Sequence, residues 1–522
     1  MPTAASETAP ALRFEGVKAT AAVATLICTA PAVAVVVLAL LADPAPAFGA
    51  DLIRDGAIGT LTLILAGGGA AIVLGAASAW LVSLCDFPGR NAFEWLLVIP
   101  LAAPSYILAY AYAGMTWAGG AAVPVQGFWG AAFVYAVGLY PYVYLSARAA
   151  FVSQSACALE AARTLGVAPF RVFWRVALPL ARPGIAAGGA LALMEVAADY
   201  GAAQHFGLTT LSTAIFRAWY AHQSLAGALQ ISAVLLTAAF VFLMMERQAR
   251  GGAAFGGGSS RWRRLPRYRL NQGAGGLAAA FCAALVMLGG AIPLGWLARL
   301  AWLHGDIGDI VQPLINSLLL SIGGAGMALA LAAAIAAAAR RNGAAGKISL
   351  FAAGVGYAAP GAVIAIGALA LFGAAREAGW IGGFGAGLAL VALLWTYVAR
   401  FAAAGVGPVD AGLARLSKGV DASARTLGAG PWRRFIAIDM PIAMPSLAAA
   451  ALILFVEILK ELPATLILRP FNFDTLAVHA YSYASDERLL QAAAPALLIF
   501  VAGLAPIILI ARSIERTRAG AR

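Results

Sequence analysis

Glu160-Ala161-Ala162-Arg163-Thr164-Leu165-Gly166, followed by Pro169, Arg171, Phe173, Leu178-Pro179 and Pro183, returns later in the same chain. The second copy reads Ala422-Ser423-Ala424-Arg425-Thr426-Leu427-Gly428, then Pro431, Arg433, Phe435, Met440-Pro441 and Pro445. The offset is 428 − 166 = 262, and it holds without a gap from Ala162/Ala424 to Pro183/Pro445, with about half the positions identical. Since 262 is close to half of the 522 residues, the simplest origin is a duplication. Each half is then expected to be one structural unit.

Each copy reads as two short helices on a membrane surface. Glu160 to Leu165 suits a helix, Gly166 breaks it, and Pro169 fits the first turn of a second helix, where a missing N–H costs nothing. In that second helix Phe170, Phe173, Trp174, Ala177 and Leu178 fall on one face, with Arg171 and Arg175 on another. Pro179 and Pro183 are expected to end it. A basic amphipathic helix serves equally as an interfacial anchor, with its cations at the headgroups. Anchoring, however, does not require Gly166, Pro169 and Pro179 to recur in register, whereas docking into a partner's groove does. Two matched elements imply a two-fold partner.

Composition sets the class. With 62% apolar and 11% charged residues, the chain reads as an all-α polytopic membrane protein, and 58 glycines suit closely packed helices. The net charge of +12 resides at the ends of apolar runs, where it orients helices and calls for no nucleic acid. Cys28, Cys85, Cys157 and Cys282 show no paired spacing, so neither disulfides nor a zinc site follows.

In order, 1–19 is a polar cytoplasmic start, and 20–245 is the first repeat. Its spans lie near 20–42, 59–84, 93–114 and 128–150, then from about 184, and near 225–245. Residues 246–272 are a linker with Gly256-Gly257-Gly258-Ser259-Ser260, in which Arg247, Arg250, Arg261, Arg263, Arg264, Arg267 and Arg269 mark the cytoplasmic side. The second repeat, 273–511, has spans near 275–299, 315–339, 348–373, 380–402, 446–467 and 488–511, and 512–522 is a basic cytoplasmic tail. About 12 spans in two parallel-topology repeats result, with both termini and both repeated loops in the cytoplasm.

The intramembrane acids recur at the same offset: 195 + 262 = 457 and 199 + 262 = 461 pair Glu195 with Glu457 and Asp199 with Glu461. The i, i+4 spacing places each pair on one helix face. Carboxylates in a span are costly and point to a substrate path, in this case one for a cation. The alternative is structural, in which they neutralise Lys460 or arginines, or cap helix ends. Nothing supplies soluble-type chemistry. Gly346-Lys347 is followed by Ile348 where a phosphate loop needs Ser or Thr. His205, His222, His304 and His479 lack ligand spacing, and surface roles are expected for His205 and His479. No nucleophile with a base stands out, no metal site is assigned, and energy must come from another subunit.

Glu160-Ala161-Ala162, Gly166, Val176 and Leu178-Pro179 resemble the cytoplasmic coupling-loop signature of permease subunits of binding-protein-dependent ABC importers. The second copy departs from it: Ala422 stands in place of the acid, Asp421 sits one residue early, and Met440 replaces the leucine. The chain is most similar to fused ferric-iron importer permeases around Glu195-Val196-Ala197-Ala198-Asp199-Tyr200-Gly201, Phe216-Arg217-Ala218-Trp219, Glu457 to Thr465 and Asp474-Thr475-Leu476-Ala477. That resemblance implies a bacterial inner-membrane permease, itself no enzyme, fed with Fe³⁺ by a periplasmic binding protein. It implies two copies of a separate ATPase, which holds the ATP, on Glu160, Ala161, Ala162, Gly166, Pro169, Arg171, Leu178 and Pro179 of one loop and on Asp421, Ala424, Gly428, Pro431, Arg433, Met440 and Pro441 of the other. A hard cation prefers oxygen ligands, as Glu195, Asp199, Glu457 and Glu461 offer. The rivals are a permease for thiamine, sulfate or a phosphonate, a proton-coupled secondary transporter, and, weakest, a membrane enzyme.

Overall fold

Apolar runs inside a bilayer must satisfy their own backbone groups, and helices do so within one segment. The computed structural model describes residues 8–43, 48–117, 125–152, 169–251, 267–304, 308–340, 343–383, 385–414, 438 and 440–519. Among these, ten helices are long and apolar enough to cross a membrane, and two bent helix pairs bring the number to 12. The first repeat has Ala19–Leu41, Gly49–Leu84, the pair Arg90–Ala102 and Ser105–Thr116, Gly127–Val152, Phe173–Ala198 and Leu225–Gln248. The second has Gln272–Leu303, Val311–Ala339, the pair Ala344–Ala358 and Gly361–Glu377, Ala386–Ala414, Pro441–Leu459 and Leu489–Ile508. Among the described residues, strand pairing is confined to Cys85-Asp86 beside Tyr268-Arg269.

The third span of each repeat is broken where continuous helices were expected at 93–114 and 348–373. The bends, 90° and 108°, fall at Ala102-Ala103-Pro104 and Ala358-Ala359-Pro360, related by 104 + 256 = 360. A proline drives the residue before it out of the helical region. Ala103 (φ −95°, ψ 121°) and Ala359 (φ −69°, ψ 129°) are accordingly extended. Each proline carbonyl then starts the next helix, accepting from Ile107 N and Val363 N, both at 3.0 Å. Both repeats thus carry a helix start inside the third span, half-buried at Pro104-Ser105 and buried at Pro360-Gly361.

Prolines act differently in the fifth span. Pro179 and Pro183 do not end a helix there; helical structure is continuous over 169–198, with a π-turn at Phe173–Ala177 just ahead of Pro179. A wider turn accommodates a residue that cannot donate to the preceding carbonyls. The span therefore starts at Phe173, about ten residues before the expected 184. In the second repeat the fifth span ends at Leu459, short of the expected 467, and Pro463–Leu468 forms a separate helix.

Contacts divide the chain into two compact units that do not coincide with the sequence halves. One contains Met1–Pro44, Leu225–Leu236 and Asp309–Val478; the other contains Ala45–Ser224, Thr237–Gly308 and His479–Arg522. Each half has given its first span to the unit built mainly from the other half. Ala19–Leu41 lies against Ala344–Ala358 and Gly361–Glu377, and Trp395 Nε1 donates to the Ile27 carbonyl at 3.0 Å. In the second unit Tyr112 donates its hydroxyl to the Leu288 carbonyl at 2.5 Å. A single span has too little surface to bury by itself, and whichever neighbours cover it decide its unit. The core of the first unit is lined by small side chains, including Ala24, Cys28, Ala332, Ala336, Ala352, Ala353 and Ala450.

The fourth and fifth spans of each repeat approach closely beside the repeated loops. A Cβ on Gly184 would lie 2.5 Å from the Ala150 Cβ and 2.8 Å from the Ser146 carbonyl oxygen. At the same point in the other repeat (150 + 262 = 412, 184 + 262 = 446), a Cβ on Gly412 would lie 2.7 Å from the Ser446 Cβ. The glycine has changed sides, yet one is needed in both copies. Gly184→Val should destabilise its unit by about 1–3 kcal/mol through overpacking, read as a lower thermal midpoint in detergent, whereas Gly323→Val, with open space around it, should not.

Candidate functional site

The repeated loops are approached through their stems. Glu160, Ala161, Ala162, Gly166, Asp421, Ala424, Gly428, Pro431 and Arg433 lie outside the described residues. Pro169, Arg171, Leu178, Pro179, Met440 and Pro441 are described: they lie just before or at the start of the fifth spans, and Arg171 is exposed on its helix. Of the apolar face expected here, Ala177 is buried together with Val172, Phe173 and Leu178 are half-buried, and Trp174 is 53% exposed, because the π-turn rotates the face.

Both sides of the first loop converge on Trp80. Phe151, ending the fourth span, and Phe173, beginning the fifth, place their rings 5.8 and 4.6 Å from the Trp80 ring, and Tyr268 follows at 6.1 Å. Below this, a buried ion cluster fixes the last turns of the fourth span. Glu94 pairs with Arg148, and Arg90 approaches it at 3.6 Å while its Nε donates to the Val82 carbonyl at 2.7 Å. Tyr144 donates to the Glu94 carbonyl at 2.9 Å. In the other repeat 148 + 262 = 410 puts Asp410 at the place of Arg148, and it pairs with Arg340 at 3.2 Å. Both stems are tied by an ion pair, with the charges reversed.

The four acids separate into two kinds. The expected common face does not form, because each fifth span ends between the acids: Asp199 is already extended (φ −67°, ψ 128°) beyond Ala198, and Glu461 lies past Leu459. Glu195 and Glu457 are half-buried within their helices, and Glu457 meets Lys460 at 2.7 Å. Asp199 Oδ1 accepts from Ala202 N at 2.8 Å, Ala203 N at 3.3 Å and the Tyr135 hydroxyl at 3.1 Å. Glu461 accepts from Ala464 N at 3.2 Å and from Arg400 Nη1 at 2.7 Å. Each thus holds the start of the short helix that follows, where exposed N–H groups favour an anion.

The side chains that complete these caps were missed in the sequence. Tyr135 and Tyr397 are related by 135 + 262 = 397, and both are essentially fully buried. Tyr135 meets Asp199, and Tyr397 exchanges a 2.6 Å hydrogen bond with Thr465, itself bonded to the Glu461 carbonyl at 3.0 Å. Extending the 262 offset upstream from the loops would have found this pair. Arg400 had no such signal, since Gly138 occupies its place in the first repeat. His205 and His479 are not at the surface as expected. They are half-buried, their rings 4.8 Å from Tyr110 and 4.5 Å from Tyr483, because the helices that carry them, Gly201–His205 and Leu476–Ser485, pack into the protein. Among the described residues no group of three or more His, Cys, Asp or Glu is placed to hold a metal ion.

Residues 71–251 and 326–519 each match the family described as binding-protein-dependent transport system inner membrane component. The chain belongs to that family. It is therefore a multi-pass inner-membrane permease component, of a kind that works with an ATPase and a binding protein. It is 24% identical over 452 residues to the Fe(3+)-transport system permease protein FbpB 2 of Haemophilus influenzae, covering 84% of this chain and 86% of that one. The Molybdenum transport system permease protein ModB of Escherichia coli is 31% identical over 134 residues, 24% of this chain and 58% of that protein. The Sulfate transport system permease protein CysT of Synechococcus elongatus is 33% identical over 129 residues, 23% and 46% of the two chains.

The buried pair Arg400–Glu461 supplies a test of the cap. Arg400→Met should destabilise the permease by about 3–5 kcal/mol, because it strands a buried carboxylate. Arg400→Met with Glu461→Gln should recover much of that loss, and thermal unfolding of both variants in detergent checks the coupling.

Proposed function

We propose that this permease carries ferric iron, delivered by a periplasmic binding protein, across the inner membrane. Power comes from two copies of a separate ATPase, one docked on each repeated loop through Glu160, Gly166, Asp421, Gly428 and their neighbours, with ATP held by that subunit. Both termini and the 246–272 linker lie in the cytoplasm. The observation that carries the cargo is the iron-transport relative, which is matched over nearly its whole length and through both repeats of one chain. The molybdate and sulfate relatives align over less than a quarter of this chain and support an oxyanion as the second reading.

The stems give the docking proposal a physical route. Force applied to the first loop reaches Phe151 and Phe173, both seated on Trp80, and the Glu94 cluster prevents the fourth span from absorbing it by sliding. In the path, Glu195 and Glu457 are the acids proposed to meet the cargo, while Asp199 and Glu461 are held as caps and contribute charge from behind.

Vesicles reconstituted with permease, ATPase and binding protein should accumulate radioactive iron only with ATP. Uptake of molybdate or sulfate in place of iron would sink the cargo assignment while keeping the class. Glu195→Gln with Glu457→Gln should lower transport at least tenfold without loss of the ATPase on copurification; full transport would make both acids structural. Bulky replacements at Gly166 and Gly428 should uncouple ATP hydrolysis from uptake while the protein stays in the membrane, and normal coupling in both would remove the docking assignment.

A further inference from the structure

The two acid caps sit in unlike surroundings, and the difference resides in a cluster that the transport reading does not use. Around Asp199, Tyr135 donates to the carboxylate at 3.1 Å and the Tyr200 and Tyr481 hydroxyls meet at 2.8 Å. The Tyr110 ring lies edge-on to His205 at 4.8 Å. Helix Ser105–Trp117, which begins at the Ala-Ala-Pro break, brings Tyr110 against the short helix Gly201–His205, and its phenol lies within electrostatic reach of Asp199, Tyr200 and Tyr481. Tyr110 is 3% exposed, and among the described residues its hydroxyl has no hydrogen-bond partner.

The fold does not require these residues. With the offset of 256 set by the two prolines, Tyr110 corresponds to Ile366; with the offset of 262, Tyr200 corresponds to Leu462 and His205 to Ile467. The other repeat builds the same short helices and the same broken span with aliphatic side chains at all three places. It also places Arg400 on its acid, where the first repeat has Gly138. One unit is thus apolar and charge-neutralised at this point. The other gathers phenols, an imidazole and a carboxylate, and leaves a buried phenol unpartnered at a desolvation cost.

We propose that Tyr110, Tyr200, Tyr481 and His205, with the capped Asp199 supplying negative charge behind them, form a transient binding site for a hard trivalent cation, ferric iron, as it passes through this unit. The proposal rests on the ferric reading above and names where the ion is held. Oxygen donors of this kind suit a hard cation. With one histidine, and with Asp199 held as a cap, the phenols must supply the oxygen ligands, and each phenol that ligates gives up one proton to the medium. The acid of the other unit is neutralised by Arg400 and offers the same ion no net negative charge, so the first unit holds it and the other does not.

The test is to titrate the purified full-length permease in detergent with ferric nitrilotriacetate and record the visible phenolate-to-iron charge-transfer band. The wild type should develop the band with release of protons. Tyr110→Phe and Tyr481→Phe should each reduce it at least severalfold, and Tyr140→Phe, which removes a different buried hydroxyl, should keep it. Should one cluster variant not fold, the other decides. Absence of the band in the wild type, or its survival in the folded cluster variants, overturns the site. If vesicles still accumulate iron in that case, the ferric reading stands and only the site falls. Uptake of an oxyanion with no iron uptake removes both.

Discussion

The structure depends on how a carboxylate is accommodated where a membrane helix stops. Once the fifth span ends, its carbonyls and the N–H groups of the next short helix need partners, and in a bilayer water does not provide them. Asp199 and Glu461 provide them, each accepting from the N–H three residues ahead. Around this constraint the fourth span contributes a buried tyrosine in both repeats, and the third span breaks at Ala-Ala-Pro to bring a helix start to the same region. At Gly361 the approach is close enough that an added Cβ would run into Glu461 and Arg400.

Such a helix break is where a permease can both bind and move. Continuous spans are stiff and internally satisfied, whereas a broken span presents backbone and polar side chains and can hinge without exposing lipid-facing backbone. The repeated loops lie at the other ends of the same fourth and fifth spans. There the helices are set by close approach at Gly184 and Gly412 and by ion pairs of opposite polarity. The loop stems and the acid caps are thus opposite ends of the same two helices. That gives a physical link between the docking proposal and the path proposal.

The duplication did not keep the repeats equivalent. The first loop has an acid at Glu160 and a tightly buried stem. The second has Ala422 there and a stem pair, Arg340–Asp410, that is partly exposed. Around the caps, one repeat has phenols and a histidine where the other has isoleucine and leucine. Both solutions hold the fold, so the fold itself leaves these positions free to differ.

The sequence by itself determined the class, the duplication and the approximate spans, because bilayer thickness fixes helix length and the 262 offset is a one-dimensional property. It also located the acids, since charge in an apolar run is visible without neighbours. It did not determine that Asp199 and Glu461 lie beyond their helix ends. The i, i+4 spacing assumes an unbroken helix, and the break is enforced by what the following short helix needs. Nor did it show that the first span of each half is covered by helices of the other, that Trp80 receives both sides of the first loop, or that Arg400 neutralises Glu461. Those depend on which surfaces meet across tens to hundreds of residues, and only tertiary packing decides that.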